Sequence, residues 1–312
     1  MKNNECLLSI VIPFFNEKEN LIPLWNELNK NLENLDCKVE IIFVDDGSND
    51  GSLEVIENLH RKDKRIKLIR LSRNFGHQAA LMAGIASAKG DAVITIDADL
   101  QQPPHLIPKM VEKWKEGFDV VNTIRIKTKG VSPLKEGFSK IFYKVFSALS
   151  EIEIKPGSAD FRLIDRKVVD ELKALPEYHK FIRGLVKWLG FKQTDIEYEA
   201  DERLSGKSKY SFFKMLKLAI DGITSFSSIP LRIAAILGFL VTFLSFLYLI
   251  YAFIQWLKGD VKPGWPSLIA TILLIGGIEL IALGIIGQYL SRVYNEVKKR
   301  PIYIVQERKY FD

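Results

Sequence analysis

The stretch VEIIFVDDGS, residues 39–48, places a run of branched and aromatic apolar residues directly before two aspartates and a glycine. The apolar run has the length and composition of a buried strand, and the polar residues after it are typical of a turn. Similar apolar runs predict further strands over residues 7–13, 66–71 and 91–99. The chain therefore begins with a sheet whose strands end in polar motifs.

Helical stretches separate these strands, at residues 19–35, 52–62 and 77–89, and a helix over 103–115 precedes a fifth strand over 119–124. Strands that alternate with helices predict an α/β fold with a mostly parallel sheet. In such sheets ligands bind at the carboxyl ends of the strands, near a switch in strand order. We therefore expect the polar motifs to line one pocket.

Charge is distributed unevenly along the 312 residues. Charged side chains are spread evenly as far as Arg232 and then become sparse until Arg292. A globular domain over residues 1–210 is therefore expected to precede an apolar module. The net charge of +6 comes without an aromatic and basic binding motif, so no nucleic-acid partner is expected. Because residues 1–6 are polar and do not resemble a secretory signal, we expect the domain to lie in the cytosol.

The apolar module predicts a transmembrane hairpin within residues 229–291. Residues 233–256 carry no charge, and residues 266–290 are interrupted only by Glu279. A helix needs roughly 20 apolar residues to cross a bilayer, so both segments are long enough. Basic residues flank the hairpin on its outer sides, which predicts that both termini, including the tail 292–312, face the cytoplasm. The expected location is the inner cell membrane.

Two further segments have apolar residues at helical spacing with lysines between them, at residues 134–152 and 211–228. Either could be a helix that packs against the core or an amphipathic helix in the membrane interface. Because the second segment leads directly into the hairpin, we favour the interface for both.

The sequence also suggests how the hairpin assembles and how the cysteines behave. Gly276, Gly277 and Gly284 permit close contact between helices, which favours a homo-oligomer, possibly a tetramer. Cys6 and Cys37 lack the spacing of a metal site, and we expect both to be reduced in the cytosol.

The strongest chemical signal is Asp97-Ala98-Asp99 at the end of the fourth predicted strand. Side chains two residues apart on an extended strand point the same way, so both carboxylates would lie on one side. Oxygen ligands of this kind suit Mg²⁺ or Mn²⁺, and Gln101 follows in the same register. Such an ion would neutralise a diphosphate. The alternative is a solvated acidic turn.

Several motifs in order resemble glycosyltransferase family 2, whose nucleotide-sugar-binding domain has the GT-A (Rossmann-like) fold. The residues that carry the resemblance are SIVIPFFNEKENL, FVDDGSNDGS, LSRNFGHQAALMAG, DADLQQPP, SADFRLIDRKVVD, FIRGLVKWLGF and ERLSGKSKYS. Together they span nearly the whole chain. The members that it most resembles are polyprenyl-phosphate hexose transferases, and the two apolar segments fit the bacterial type.

The resemblance implies three sets of site residues. Those that would bind the nucleotide sugar are Pro13, Phe15, Glu17, Asp45, Asp97, Arg125 and Ser208. Those that would hold the metal are Asp97, Asp99 and Gln101. Those that would take part in the reaction are Asp99, Asp160, Arg203 and Lys209.

The implied reaction is the inverting, metal-dependent transfer of one hexose, glucose from UDP-glucose, to polyprenyl (undecaprenyl) phosphate at the cytoplasmic membrane face. A phosphate with a charge of about −1.5 to −2 is already a nucleophile, so no strong base is required. The site must instead bring two anions together, which arginine and lysine achieve.

Other functions stay open at this point. GDP-mannose or a UDP-aminosugar would suit the same motifs. A processive polysaccharide synthase is disfavoured because the chain lacks a Gln-x-x-Arg-Trp run and has only two spans. A non-catalytic membrane scaffold is disfavoured because the motifs are intact.

Three residues near the motifs have competing interpretations. His77 is expected to be an ordinary residue at a helix N-terminus. Arg183 either approaches the active site or pairs structurally with a carboxylate. Asp160 either takes part in the reaction or caps a turn, with Arg162 as its partner.

Overall fold

A computed structural model describes residues 6–33, 35–128, 155–178, 180–200, 227–258 and 264–311. The predicted amphipathic helix 134–152 and most of the predicted helix 211–228 lie outside the described residues. Arg203, Ser208 and Lys209 lie outside them too.

The core of the protein is an eight-stranded mixed sheet in the order β7-β5-β6-β4-β1-β2-β3-β8. The strands are β1 (Cys6–Phe14), β2 (Cys37–Asp45), β3 (Ile66–Leu71), β4 (Ala92–Thr95), β5 (Val120–Thr128), β6 (Ser158–Asp165), β7 (Gln193–Ala200) and β8 (Val305–Lys309). Strands β1 to β4 run parallel to one another, whereas β6 and β8 are antiparallel to their neighbours. This is the GT-A-like arrangement expected from the sequence.

Six of the described helices cover the two faces of the sheet. They are α1 (Lys18–Leu32), α2 (Ser52–Lys62), α3 (His77–Ser87), α4 (Ile107–Lys115), α5 (Arg166–Ala174) and α6 (Ile182–Trp188), with a 3₁₀ turn at Pro104–Leu106. Two further helices, α7 (Ile229–Leu257) and α8 (Trp265–Lys298), are not part of these two layers. Side chains of α1, α2 and α4 pack on one face of the sheet, and those of α3, α5 and α6 pack on the other. The two layers exist because strand side chains alternate between faces.

Close packing of α3 on the sheet depends on Gly84. A Cβ at this position would lie 2.2 Å from Val11 Cγ1 and 3.0 Å from Val44 Cγ2. Because real side chains do not approach so closely, α3 can sit at this height only with glycine here. The start of α3 is thereby held near the carboxyl ends of β1 and β2.

The predicted strands and helices of the first 128 residues are confirmed, with small changes at their ends. The main difference is β4, which ends at Thr95 rather than at residue 99. Strands β6, β7 and β8 were not predicted from the sequence, because their polar and apolar residues do not form a continuous apolar run.

The prediction that both cysteines are reduced is wrong, because Cys6 and Cys37 form a disulfide. These residues are the first of β1 and β2 and are direct partners in the parallel ladder. Their Cα atoms lie 4.7 Å apart, within the range that a disulfide spans. The separation of 31 residues in sequence gave no sign of this pairing.

Two apolar helices are long enough to cross a membrane. The candidate spans are Ile229–Gln255 and Leu274–Lys298, with mean hydropathies of 2.5 and 1.6, and neither is buried within the chain. Helices α7 and α8 contact each other, as expected for a hairpin. Helix α8 continues to Lys298, beyond the predicted end at residue 290.

The residues after α8 return to the sheet. Strand β8 pairs antiparallel with β3, and Lys309 Nζ lies 2.7 Å from Glu57 Oε1 of α2. The stretch that was predicted only as a cytoplasmic tail therefore adds the last strand at one edge of the sheet. This pairing joins the end of α8 directly to the globular domain.

The buried carboxylate of Glu40 links several segments in the amino-terminal half of the sheet through hydrogen bonds. Glu40 on β2 is 4% exposed and accepts hydrogen bonds from Ser9 Oγ, Lys67 Nζ and the backbone N–H of Lys89. Burial alone would raise the pKa of Glu40, but Lys67, Ser9 and Lys89 together lower it below its usual value. Glu40 is therefore ionised in the folded protein.

We expect Glu40→Gln to lower the free energy of unfolding by about 1–3 kcal/mol, because Lys67 loses its partner. The folded-state pKa of Glu40 lies below its usual 4.5. The stabilisation that ionised Glu40 provides is therefore fully present at pH values above 4.5. It is lost as the pH falls through the folded-state pKa of Glu40. Denaturation in detergent across acidic and neutral pH checks this. The exposed Glu112→Gln is the control, and a difference between wild type and Glu40→Gln that grows towards acid pH would contradict the assignment.

Candidate active site

The polar motifs converge on one edge of the sheet, as expected. Strand β1 lies between β2 and β4, and all three are parallel, so their carboxyl ends share this edge. The antiparallel strand β6 begins at the same edge. The chain leaves β1 towards β2 on one side and returns as β4 on the other, so the strand order switches here. A crevice at this switch is where α/β sheets bind ligands.

Asp45 lies at the end of β2 and is completely buried. Its Oδ1 accepts a hydrogen bond of 2.8 Å from the backbone N–H of Ser48. Its Oδ2 has no hydrogen-bond partner among the described residues, and the nearest cation is Arg70 Nε at 3.7 Å. A buried carboxylate oxygen that lacks a donor is costly, so a ligand N–H or O–H group at this position would be stabilised.

The residues after β1 border the same position. Pro13 is buried within β1, whereas the Phe15 side chain is 37% exposed. Glu17 precedes α1, and its Oε2 accepts a hydrogen bond of 2.6 Å from Asn20. The exposed ring of Phe15 can stack against a flat ligand, while the buried Pro13 shapes the wall behind it.

Asp46 fixes the loop that leads to α3. Its carboxylate accepts hydrogen bonds from the backbone N–H groups of Phe75 (2.7 Å) and Gly76 (2.9 Å). Gly47 has φ +80°, and a Cβ there would lie 2.8 Å from the backbone of Arg73. The VDDG motif therefore needs both the second aspartate and the glycine to hold this loop against β2.

Asp160 is the most highly connected carboxylate at this edge. It is 4% exposed, and Arg183 of α6 donates two hydrogen bonds of 2.8 Å to it. Gln78 donates a third at 3.2 Å, and Arg162 Nη2 lies at 3.5 Å. Burial alone would raise the pKa of Asp160, but Arg183 and His77 hold it well below its usual range. Asp160 is therefore an ionised carboxylate within β6, not the cap of a turn.

His77, the first residue of α3, lies between two carboxylates. Its Nε2 is 3.4 Å from Asp160 Oδ2 and 3.5 Å from Asp97 Oδ1. Burial lowers the pKa of His77, but the charges of Asp97 and Asp160 outweigh burial and raise it to about 9. At neutral pH the imidazole is therefore protonated. The prediction of an ordinary helix N-terminal residue missed this role.

Asp97 and Asp99 come together in a turn and not on an extended strand. Strand β4 ends at Thr95, and Leu100 has φ 61°. The side chain of Gln102 folds back onto Asp97, accepting from its backbone N–H and donating to its carboxylate. The backbone N–H of Gln101 donates to Asp99 Oδ1 at 3.2 Å. The argument from strand alternation was therefore wrong, although the acidic pair does lie at the predicted edge.

This acidic pair fits a divalent cation that is shared with a diphosphate. Burial raises the pKa of Asp97; His77 opposes this, and the negative charges of Asp160 and Asp99 add to it. A cation beside Asp97 would therefore be favourable. Mg²⁺ often takes only one or two carboxylates and fills its other positions from water and substrate phosphates. Among the described residues, no three His, Cys, Asp or Glu side chains form a closed metal site.

Arg125 and Tyr198 extend the same edge. They are partners in the parallel ladder of β5 and β7, and the Arg125 side chain is exposed. Burial raises the pKa of Tyr198 to about 12; Arg125 opposes this shift, and Asp97 and Asp99 add to it. The phenol is therefore within electrostatic reach of the acidic pair. Tyr198 carried no sequence signal, since a tyrosine in a strand is usually a packing residue.

The fold thus brings together most of the described residues that were predicted for the site. It adds side chains that the sequence did not single out as site residues: His77, Gln78, Gln102 and Tyr198. Both interpretations of Arg183 apply, because it pairs with a carboxylate, Asp160, that lies at this edge. A signal in advance came from the polar pair His77-Gln78 at the start of a helix and from Gln102 in the motif DADLQQPP.

Comparison with known families gives two matches. Residues 9–173 match the model for glycosyl transferase family 2, and residues 229–293 match the model for the GtrB C-terminal hairpin. The first covers the site described above except for Arg183 and Tyr198, and the second covers α7 and most of α8.

Similar full-length proteins come from bacteria and phages. The uncharacterized glycosyltransferase YkcC of Bacillus subtilis (strain 168) is 47% identical over 300 residues, which cover 96% of this chain and 93% of that protein. The bactoprenol glucosyl transferase of Shigella phage SfX is 40% identical over 304 residues, which cover 97% of this chain and 99% of that protein.

Among solved structures, the mannosyltransferase PcManGT from Pyrobaculum calidifontis, in complex with GDP-Man and Mn²⁺, has a TM-score of 0.50. The match covers 94% of this chain and 86% of that chain, with 13% identity. At this identity the likeness shows a shared fold.

We expect His77 of the metal-free protein to titrate near pH 9, because Asp97 and Asp160 stabilise its protonated form. NMR of histidine-labelled protein measures this, and His77→Asn assigns the signal. The variant Asp97→Asn removes one of the two stabilising charges and should move the midpoint towards the ordinary histidine value. His105→Gln, at an exposed site, should leave it unchanged. A His77 midpoint near or below the ordinary value in wild type would contradict the arrangement.

Proposed function

Because the chain belongs to glycosyltransferase family 2, we propose that it transfers a single glucose from UDP-glucose to a polyprenyl phosphate, such as undecaprenyl phosphate, with inversion at the anomeric carbon. The glycosyltransferase activity follows from the family. The donor, the acceptor and the residue roles are the proposal.

One observation carries the choice of acceptor. A glycosyltransferase domain and two apolar helices of membrane-spanning length occur in one chain, and the helices match the GtrB hairpin. Relatives of nearly the same length carry the name bactoprenol glucosyl transferase. A hairpin in the membrane would keep the catalytic domain close to a substrate that stays in the membrane. This supports a lipid phosphate as the acceptor.

The nucleotide would bind at the ends of β1 and β2. Asp45 Oδ2, which lacks a donor among the described residues, would accept a hydrogen bond from the base or the ribose. Phe15 would stack on the base, with Pro13 and Glu17 beside it. Arg125, which lies beyond the acidic pair, would contact the donor phosphates, with Ser208 as a further phosphate ligand.

Asp97, Asp99 and Gln101 would hold Mg²⁺ or Mn²⁺. When bound, the ion would neutralise the diphosphate and make it a better leaving group. The remaining chemistry belongs to the side chains. Gln102 holds Asp97 in position: its amide oxygen accepts from the Asp97 backbone N–H, and its amide nitrogen donates to the Asp97 carboxylate.

The reaction itself is a displacement at the anomeric carbon. An oxygen of the acceptor phosphate forms a bond to this carbon while the bond to the donor diphosphate breaks, and the bonding electrons leave with the nucleoside diphosphate. No proton transfer is required, because the phosphate is already ionised. Arg203 and Lys209 would draw the two anions together. Asp160 would orient Arg183 and His77 around the reacting carbon.

The chain would lie in the inner cell membrane with its catalytic domain and both termini in the cytoplasm. The basic residues Arg232, Arg292 and Lys298 near the outer ends of the hairpin support this orientation. A homo-oligomer, possibly a tetramer, would form through the hairpin. A Cβ added at Gly276, Gly277 or Gly284 meets no described atom within 4 Å, so these positions would be open to another helix.

A donor screen tests the function. Purified protein in detergent is mixed with a short polyprenyl phosphate, Mg²⁺ and a panel of UDP-glucose, GDP-mannose and UDP-aminosugars, and lipid products are read by mass spectrometry. We expect a single hexose on the lipid from UDP-glucose. Product from GDP-mannose alone would show that the donor is GDP-mannose and not UDP-glucose. A long polymer would favour a processive synthase. Nucleotide binding without any lipid product would overturn the acceptor.

We expect Asp99→Ala to lower kcat by roughly a thousandfold or more, because the diphosphate loses its stabilising ion. Asp170→Ala, an exposed carboxylate on α5, is the matched control and should keep wild-type kcat. Initial rates at saturating UDP-glucose and polyprenyl phosphate measure both. Near-normal turnover of Asp99→Ala would exclude this residue as a metal ligand.

A further inference from the structure

A small basic pocket lies beside the active site, between α6 and the strands β5, β6 and β7. Four cationic side chains line it, Lys155, Arg162, Arg183 and Lys187, together with the carboxylate of Asp195. Arg183 is shared, since the same guanidinium binds Asp160 at 2.8 Å. The pocket is therefore continuous with the active site through one residue.

Arg162 is buried in this pocket with part of its hydrogen-bonding capacity unused. It is 2% exposed, and its Nη2 donates to the backbone oxygen of Ala159 at 2.8 Å. Its Nε has no partner among the described residues. Burial lowers the pKa of Arg162 to about 10; Asp160 opposes this shift, and Arg183 adds to it. A buried guanidinium in this state would gain considerably from a nearby anion.

The carboxylates near the pocket compensate only part of its positive charge. Asp160 Oδ1 lies 3.5 Å from Arg162 Nη2, but the same carboxylate accepts two hydrogen bonds of 2.8 Å from Arg183 and lies 3.4 Å from His77. Asp195 pairs with Lys155 at 2.7 Å. Arg162 and the exposed Lys187 therefore bring an excess of positive charge to the pocket.

A chain of contacts joins the pocket to the acidic pair. His77 lies between Asp97 and Asp160. Arg183 binds Asp160 and also lines the pocket. With the donor diphosphate at Asp97 and Asp99, as proposed above, an acceptor phosphate in the pocket would lie beside the same network of charged side chains.

We propose that this pocket is a phosphate-monoester subsite that receives the phosphate of the lipid acceptor. The assignment to the acceptor rests on the function proposed above. The binding of a phosphate monoester rests on the pocket itself, because several convergent arginine and lysine donors suit a dianion.

Lys187→Gln tests the subsite, since this exposed side chain can be replaced without disturbing the core. We expect the KM for polyprenyl phosphate to rise about tenfold, the loss of one charge-assisted contact, while the KM for the nucleotide sugar stays unchanged. Lys173→Gln, an exposed lysine at the end of α5, is the matched control and should change neither. Arg162→Lys removes the buried Nε and should act in the same direction. An unchanged acceptor KM in Lys187→Gln overturns the assignment.

A binding measurement separates this subsite from the proposed reaction. Calorimetry in detergent compares geranylgeranyl phosphate, geranylgeraniol and inorganic phosphate, and phosphatidylglycerol nanodiscs provide a headgroup without a monoester. We expect geranylgeranyl phosphate to bind wild type about tenfold more tightly than Lys187→Gln, with no such difference for the alcohol or the nanodiscs. Weaker phosphate binding by Lys187→Gln in a protein that makes no lipid product would support the subsite and overturn the reaction. If lipid product forms but Lys187→Gln binds geranylgeranyl phosphate as tightly as wild type does, the reaction is supported and the subsite is overturned. If Lys187→Gln weakens binding only to the nanodiscs, the pocket binds lipid headgroups and the subsite is likewise overturned.

Discussion

The active site depends on one buried ionised carboxylate, Asp160. A carboxylate can remain charged away from water only when cations and hydrogen-bond donors surround it. Here these donors come from separate elements: His77 and Gln78 of α3, and Arg183 of α6. Asp160 thus joins two helices to β6 at the edge where the strands end. Loss of this charge would deprive His77, Gln78 and Arg183 of the partner that they share.

The VDDG motif and the packing of α3 serve the same arrangement. Asp46 binds the backbone N–H groups of Phe75 and Gly76, which sets the position where α3 begins. Gly84 then allows α3 to lie close to β1 and β2. His77 reaches Asp97 and Asp160 because both constraints act on one short helix. A motif that sequence reasoning assigned to ligand binding therefore also positions His77 beside Asp97 and Asp160.

The membrane hairpin is joined to the catalytic domain at more than one point. The Glu296 carboxylate near the end of α8 accepts hydrogen bonds of 2.8 and 3.0 Å from the backbone N–H of Tyr178. Strand β8 then pairs with β3 at the edge of the sheet. Tyr178 lies only a few residues before Arg183. The segment that contacts the end of α8 therefore leads directly to a residue that lines the basic pocket. This connection ties the end of α8 to the segment that carries Arg183.

The α/β order of the first 128 residues, the acidic motifs at the strand ends and the two apolar helices could be predicted from the sequence, because apolar periodicity and segment length act locally. The disulfide between Cys6 and Cys37, the turn that joins Asp97 to Asp99, and the contacts of His77 and Arg183 with Asp160 became visible only in the folded chain. These features are contacts between residues distant in sequence or bends in the backbone. Their formation depends on which strands become neighbours, and that information does not lie in any single stretch of the chain.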